Sequence, residues 1–190
     1  WHTKLWMLSK LEKRTNSNLI MKLLIEEYKI DRQVRALAHT LTKRFKGKTP
    51  PIMVCILNGA YMFFTDLTKD MGCNIEVDFL RAKSYEGQDN SGGVNVTKDI
   101  EIDIEGRDVV LVDDIADTGN TFIHLKDLLS KRKPNSITTV AMAVKPHTEH
   151  LPDYHVFQVK NDEWLVGYGL DDNGLKRNYR NLYDINEKNL

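Results

Sequence analysis

A chain of 190 residues, 41% of them hydrophobic, is long enough for one domain with a sizeable core. Its 27 basic residues equal its 27 acidic ones, so no global field recruits nucleic acid or a membrane surface. No apolar run approaches the ~20 residues that span a bilayer. Two cysteines exclude a disulfide framework, and without a Cys-x-x-Cys spacing they speak against zinc or redox roles. Cys55 in an apolar strand and Cys73 after Gly72 read as reduced thiols of a cytoplasmic protein.

In chain order, residues 1–20 stand apart. Trp1 is not an initiator residue, the segment is basic (Lys4, Lys10, Lys13, Arg14 against Glu12), and its apolar patch at 5–8 is too short for a signal-peptide core. It is read as an expression remnant ahead of Met21, with a native helical extension packing on a partner subunit as the alternative. Residues 21–190 are expected to form a single domain. Asp31 is placed to cap a helix with Val34, Leu37, Ala38, Leu41 and Phe45 on one face, ended by Gly47 and Pro50. Residues 52–57 read as a buried strand. Asn58-Gly59 would ordinarily signal a hairpin, but 61–71 is helical in pattern, so a strand-to-helix turn fits better. A second strand is predicted at 75–80, followed by 81–85 and a polar, glycine-rich loop at 86–93. Residues 94–104 alternate and read as a half-exposed strand pair.

After a turn at 106–108, Val-Val-Leu-Val (109–112) is too short for a buried helix and reads as a buried parallel strand. It runs into Asp113 and Asp114, then into the turn Asp117-Thr-Gly-Asn-Thr121. Phe122, Leu125, Leu128 and Leu129 recur at helical spacing, so a helix starts near Thr121. This order sets acids and free backbone amides at the carboxyl edge of a sheet, where open α/β sheets bind ligands and a helix N-terminus favours phosphate. Ionised Asp113 and Asp114 accept hydrogen bonds only, which suits the vicinal hydroxyls of a ribose. Asp117 would then lie near the sugar C1, and Thr118, Gly119, Asn120 and Thr121 offer amides and hydroxyls to a 5′-phosphate. The plain alternative is a strand–helix turn whose Asp and Thr only cap the helix; the whole ordered string favours a ribose-5-phosphate cradle. Beyond the basic surface turn at 131–135, a strand at 137–144 puts Lys145 at the same edge as Asp117. A short strand follows at 156–159, and then Asn-Asp-Glu-Trp-Leu-Val-Gly-Tyr-Gly-Leu-Asp-Asp-Asn (161–173).

Val-Asp-Asp-Ile-Ala-Asp-Thr-Gly-Asn-Thr (112–121) resembles the phosphoribosyl-pyrophosphate motif of the type I phosphoribosyltransferases. Asp-Phe-Leu-Arg-Ala-Lys-Ser-Tyr (78–85) and the 161–173 segment narrow the resemblance to hypoxanthine-guanine phosphoribosyltransferases, over about residues 30–187. The resemblance implies an α/β type I phosphoribosyltransferase fold: a central, mainly parallel sheet flanked by helices, with a small hood from the chain ends. It also implies homodimers or homotetramers. By the same resemblance the whole motif from Asp113 through Ile115 and Ala116 to Thr121 binds substrate. The Asn58-Gly59 turn offers amides to pyrophosphate, often through a cis peptide, although the family more often has Lys-Gly. Ser84 and Tyr85 open a mobile lid and reach the pyrophosphate on closure, which would hide a ribosyl cation from water. Trp164 stacks on the base, with a core aromatic as the other reading, and backbone groups near Glu163 and Leu165 read the purine edge. Asp171, with Asp113 and Asp114, holds Mg2+, and Arg177 forks onto pyrophosphate oxygens. The family's first acid is more often Glu than Asp113, and an aromatic usually stands at Asp172.

The reaction so implied is attack of a purine N9 on C1 of phosphoribosyl pyrophosphate, giving IMP or GMP and pyrophosphate. Asp117 would be the base at N7 or stabilise the developing cation. The Lys145 ammonium, a donor only, would meet the exocyclic oxygen of a 6-oxopurine and reject adenine. Two other readings are a regulator that keeps the cradle as a sensor, and a receiver-like domain built on the acidic pair. The missing basic footprint argues against the first. The second leaves 118–121, Lys145 and Trp164 without a purpose.

Overall fold

The computed structural model describes residues 21–84 and 94–186, so residues 1–20, Tyr85 and the expected lid over 86–93 lie outside the described residues. In chain order its elements are β1 (Lys22–Ile25), α1 (Glu27–Phe45), β2 (Ile52–Leu57), α2 (Tyr61–Lys69), β3 (Glu76–Ser84) and β4 (Val94–Lys98). Then come β5 (Asp108–Ala116), α3 (Asn120–Ser130), β6 (Ser136–Val144), β7 (Tyr154–Gln158), β8 (Leu165–Val166) and β9 (Leu182–Asp184). Six strands form the main sheet in the order β4-β3-β2-β5-β6-β7. Every pairing is parallel except β4 on β3, the edge hairpin that flanks the expected lid. A second, antiparallel sheet, β1-β9-β8, joins the first described strand to the last two and is the hood expected from the chain ends.

The central strands are buried on both faces, as their unbroken apolar runs require. Alternate residues feed two cores. Met53, Cys55, Val110, Val112, Val140 and Met142 pack towards α1 and α2, and this cluster extends to Leu165, Tyr168 and Leu182 of the hood segment. Ile52, Val54, Val109 and Leu111 pack towards Phe122, Leu125 and Leu129 of α3. Each large side chain so buried stabilises the fold by about 1.5–3 kcal/mol. The hood therefore shares the core of the main sheet. Among the described residues no helix is long and apolar enough to cross a membrane.

Three expectations are corrected. The first helix begins at Glu27, not at Asp31, because the amide of Glu27 donates to Asn181 Oδ1 at 2.7 Å, a cap supplied by the hood. Ile30 is thereby added to the buried face, and Asp31 pairs instead with Arg35 at 3.0 Å on the surface. The strand pair expected over 94–104 is only half formed. Beyond β4 the chain leaves strand geometry, since buried Asp78 accepts the Glu101 and Ile102 amides at 2.7 and 2.9 Å and folds that stretch inward onto Ile100 and Ile104. The helix expected over 61–71 stops at Lys69.

Candidate active site

The carboxyl ends of β2, β5 and β6 meet at one edge, with Ala116 level with Val144 and Cys55 level with Val112. At the end of β5 the chain turns through Thr118 and Gly119 into α3, which starts without a side-chain cap. The Asn120 amide donates to Thr118 Oγ1 at 3.3 Å, and a helix start of this kind, with amides not used within the helix, is the arrangement that receives a phosphate. Gly119 is required twice. Its φ is 87°, and any Cβ there would overlap the carbonyl of His150.

Two carboxylates precede that turn. Asp113 is buried and accepts the Asp114 amide at 2.9 Å, while Asp114 accepts the Ile115 amide at 2.7 Å. Burial, and then the charge of Asp114, pushes the Asp113 carboxyl well above its ordinary range. Burial also raises Asp114, against the opposing pull of its hydrogen bonds and of Arg177. Gly59 lies so close that a Cβ would overlap the Asp114 carboxylate. The peptide between Leu57 and Asn58 is cis, the geometry the resemblance implied at this turn.

The turn after β6 is fastened to the turn after β5. Thr148, buried, has its hydroxyl within 2.9 Å of the Ala116 carbonyl and 2.7 Å of the Asp117 carbonyl. The Lys145 amide donates to Ala116 at 3.2 Å and that of His150 to Thr118 at 3.3 Å. Lys145 Nζ consequently sits 3.9 Å from Asp117 Oδ1 and donates to the Asn161 carbonyl at 3.2 Å. Asp117 itself is exposed, and its nearest side-chain partner is His147, with Nε2 2.7 Å from Oδ1. The other imidazole nitrogen lies 2.7 Å from Asn161 Oδ1.

The hood segment supplies the remaining wall. Trp164 is 65% exposed while its amide donates to Asp184 Oδ1 at 2.9 Å, so the backbone is locked and the ring is free. Leu165 is buried in β8. Glu163 is buried and accepts the Lys160 amide at 2.8 Å, a brace for the bend. Arg177 pairs with Asp171 at 2.6 Å and donates to the Gly169 carbonyl at 2.7 Å. Gly169 in turn packs on Gly59, where a Cβ would overlap the carbonyl. Arg177 and Asp171 are thus set beside Gly59 and Asp114. Asp172 pairs with Lys176 at 2.8 Å, which accounts for the acid where the family has an aromatic.

Of the residues expected from the sequence, Asn58, Gly59, Asp114, Asp171 and Arg177 gather on one side of the edge. Asp117, Thr118, Gly119, Asn120, Thr121 and Lys145 gather on the other. Ile115 and Ala116 contribute backbone: the Ala116 carbonyl anchors the neighbouring turn. Ser84 ends β3 opposite Val94, and Tyr85 lies outside the described residues. Sequence reasoning missed His147, Thr148 and Asn161. Their signal was proximity in the chain to Lys145 and to the Trp164 segment, which no periodicity marks.

The phosphoribosyl transferase domain family matches residues 25–173. A hypoxanthine-guanine phosphoribosyltransferase of Streptococcus pyogenes is 38% identical over 167 residues, 86% of this chain and 90% of the relative. A solved hypoxanthine phosphoribosyltransferase of Staphylococcus aureus superposes with a TM-score of 0.82 at 34% identity, covering 90% of this chain and 95% of that one. A hypoxanthine-guanine phosphoribosyltransferase of Bacillus anthracis superposes with a TM-score of 0.81 at 31% identity, covering 86% and 97%. Sheet order, hood and motif agree with these likenesses, and the chain belongs to the phosphoribosyltransferase family, on its hypoxanthine-guanine branch.

Proposed function

We propose that this edge transfers the 5-phosphoribosyl group from phosphoribosyl pyrophosphate to a 6-oxopurine, giving IMP or GMP and pyrophosphate in purine salvage. The observation that carries the reading is a donor-only cation, Lys145, held 3.9 Å from the carboxylate of Asp117, which follows a buried and a half-buried acid and precedes a helix with no side-chain cap on its N-cap residue. The amides at 118–121 bind the 5′-phosphate, and Asp113 and Asp114 accept the ribose hydroxyls. Lys145 meets the exocyclic oxygen, and the free ring of Trp164 stacks on the base. As N9 forms its bond to C1, the C1–oxygen bond to pyrophosphate breaks and Asp117 takes the N7 proton. Arg177 and the Gly59 amide meet the leaving pyrophosphate.

Asp113, Asp114 and Asp171 are the acids that would hold Mg2+, a hard cation that takes oxygen donors, and among the described residues they do not stand as a ready three-acid cluster. Asp171, held by Arg177 and the Gly174 amide, would act on the ion through water, since magnesium keeps several of its own. When bound, Mg2+ neutralises charge on the pyrophosphate. Cys55 is a buried free thiol whose burial pushes it up to about 12, which fits the reducing cytoplasm. A homodimer or homotetramer is the assembly expected for this family, and sedimentation velocity tests it.

The experiment is pyrophosphate release with Mg2+, phosphoribosyl pyrophosphate and each base in turn. Hypoxanthine and guanine should turn over, and adenine and orotate should not. A sensor would bind without turnover, and a receiver would do neither. Asp117→Asn should lower kcat by about a hundredfold to ten-thousandfold while keeping nucleotide affinity, since general acid–base catalysis is worth that much.

A further inference from the structure

His147 sits inside the site just described and has no part in the chemistry assigned so far. We propose that His147 is a positioning residue for the transfer, its imidazole held by Asn161 and holding the Asp117 carboxylate in the orientation that takes the purine proton. The inference rests on the reading of Asp117 as the base.

Five observations carry it. Asp117 is an exposed side chain at the tip of a turn, with 58% of its surface open, so it needs a partner to stay in one rotamer. Lys145 is not that partner: at 3.9 Å it is beyond hydrogen-bond reach, and its ammonium donates to the Asn161 carbonyl. The contact that fits is His147 Nε2 at 2.7 Å. The imidazole is fixed in turn from its far side, where Nδ1 meets the Asn161 side chain at 2.7 Å. Its backbone is fixed by its chain neighbour Thr148, whose buried hydroxyl grips the loop carrying Asp117.

Two proton arrangements satisfy both contacts. An imidazolium donates to Asp117 and to the Asn161 oxygen. A neutral ring donates to Asp117 from Nε2 and accepts at Nδ1 from the Asn161 amide nitrogen, turned over. In both, the hydrogen on Nε2 faces Asp117, because an ionised carboxylate offers none. Asn161 thus serves two masters of the same reaction: its carbonyl sets the lysine that selects the base, and its side chain sets the histidine that orients the acid.

The test is steady-state kinetics on four chains: parent, His147→Ala, His147→Gln, and His147→Ala combined with Asp117→Asn. Misplacing a reacting group by an ångström can cost about a hundredfold, so His147→Ala should lower kcat by about tenfold to a hundredfold. KM for phosphoribosyl pyrophosphate and for hypoxanthine should stay within about twofold, since a step-specific loss leaves ground-state binding alone. Gln presents an N–H at similar reach and should recover kcat to within about threefold of the parent. In the Asp117→Asn background, removing His147 should cost less than about twofold, because it acts through the missing carboxylate. A parent-like His147→Ala chain, a His147→Gln chain as impaired as His147→Ala, or losses that multiply would each overturn the proposal. Asp117→Asn measured alone separates the two readings: if it is as active as the parent, the base assignment fails and takes this inference with it. If Asp117→Asn is impaired and His147→Ala is not, only the histidine is removed.

Discussion

The two ends of β5 both carry carboxylates, and the fold treats them in opposite ways. At the amino end, Asp108 receives the Ser136 hydroxyl at 2.5 Å and the Asn135 amide at 2.7 Å. The Ser136 bond, with that of Asn135, holds its carboxyl below the ordinary range against some burial. At the carboxyl end, burial raises both Asp113 and Asp114. One strand therefore has a charge the fold satisfies and, five and six residues on, a pair whose charge burial disfavours. Acids held above their usual range at a sheet edge are a mark of function, and stability is given up there.

The comparison breaks first at Asp114. Asp114→Asn keeps the shape and deletes the charge. Turnover should fall by about tenfold to a hundredfold, the worth of a hydrogen bond to a charged acceptor. The ligand-free melting temperature at neutral pH should rise, because an ionised group that burial disfavours has been removed. Calorimetry beside the activity assay checks both, and a lower melting temperature would mean that the pair is structural after all.

Gly119 sharpens the contrast by showing how little slack the carboxyl end has. An Ala there must adopt a positive φ and displace the His150 carbonyl. We expect Gly119→Ala to destabilise by about 1–3 kcal/mol and to weaken binding of the sugar phosphate, read by denaturant unfolding and nucleotide titration. An Ala chain of parent-like stability would show that the close approach is not needed. Asp108→Asn at the other end should do less. It should cost about 1 kcal/mol, the usual worth of a hydrogen bond, with kcat unchanged. Any loss of turnover at a temperature where the chain stays folded would contradict the division.

The carboxyl end was also the more legible of the two functional regions. A contiguous apolar run, two acids and a small-residue turn specify strand, edge and helix start locally: β2, β6 and α3 stand within a residue or two of where the pattern puts them, while β5 runs on past 112 to Ala116 and carries both acids within the strand. The hood and the linking turn are held by distant partners. The cap of α1 is Asn181, 154 residues away, so nothing local marks it and Asp31 is the nearest residue with capping chemistry inside the pattern. Strand alternation over 99–104 was overridden by the amides that Asp78 collects, a contact no periodicity encodes. The role proposed for Trp164 as a purine platform rests on resemblance. Trp164 is 65% exposed while its amide is tied to Asp184, 20 residues on, a contact that composition does not reveal. His147 carried no pattern at all: its partners, Asp117 and Asn161, come from two other turns.

The smallest effect should appear in the pH dependence of stability, where the two kinds of acid have opposite signs. Asp108, Asp78 and Asp153 are held below their ordinary values. For Asp78 burial opposes this, and the amides of Ile102, Phe79 and Glu101 outweigh it. A depressed carboxyl stabilises fully above its unfolded value, roughly 3.9, and loses that contribution as pH falls through its folded value. Asp113 and Asp114 are raised, so their contribution is complete below the unfolded value and is lost as pH rises through the folded one. The urea midpoint of the ligand-free protein should therefore fall on the acid side through the structural acids and decline above the usual carboxylate range through the site pair. Asp108→Asn should flatten the acid limb alone, and Asp114→Asn the upper decline alone. If the Asp108→Asn curve instead ran parallel to the parent's below pH ~4, the amino-end carboxylate would be no better satisfied when folded than when unfolded, and the contrast between the strand's two ends would be lost.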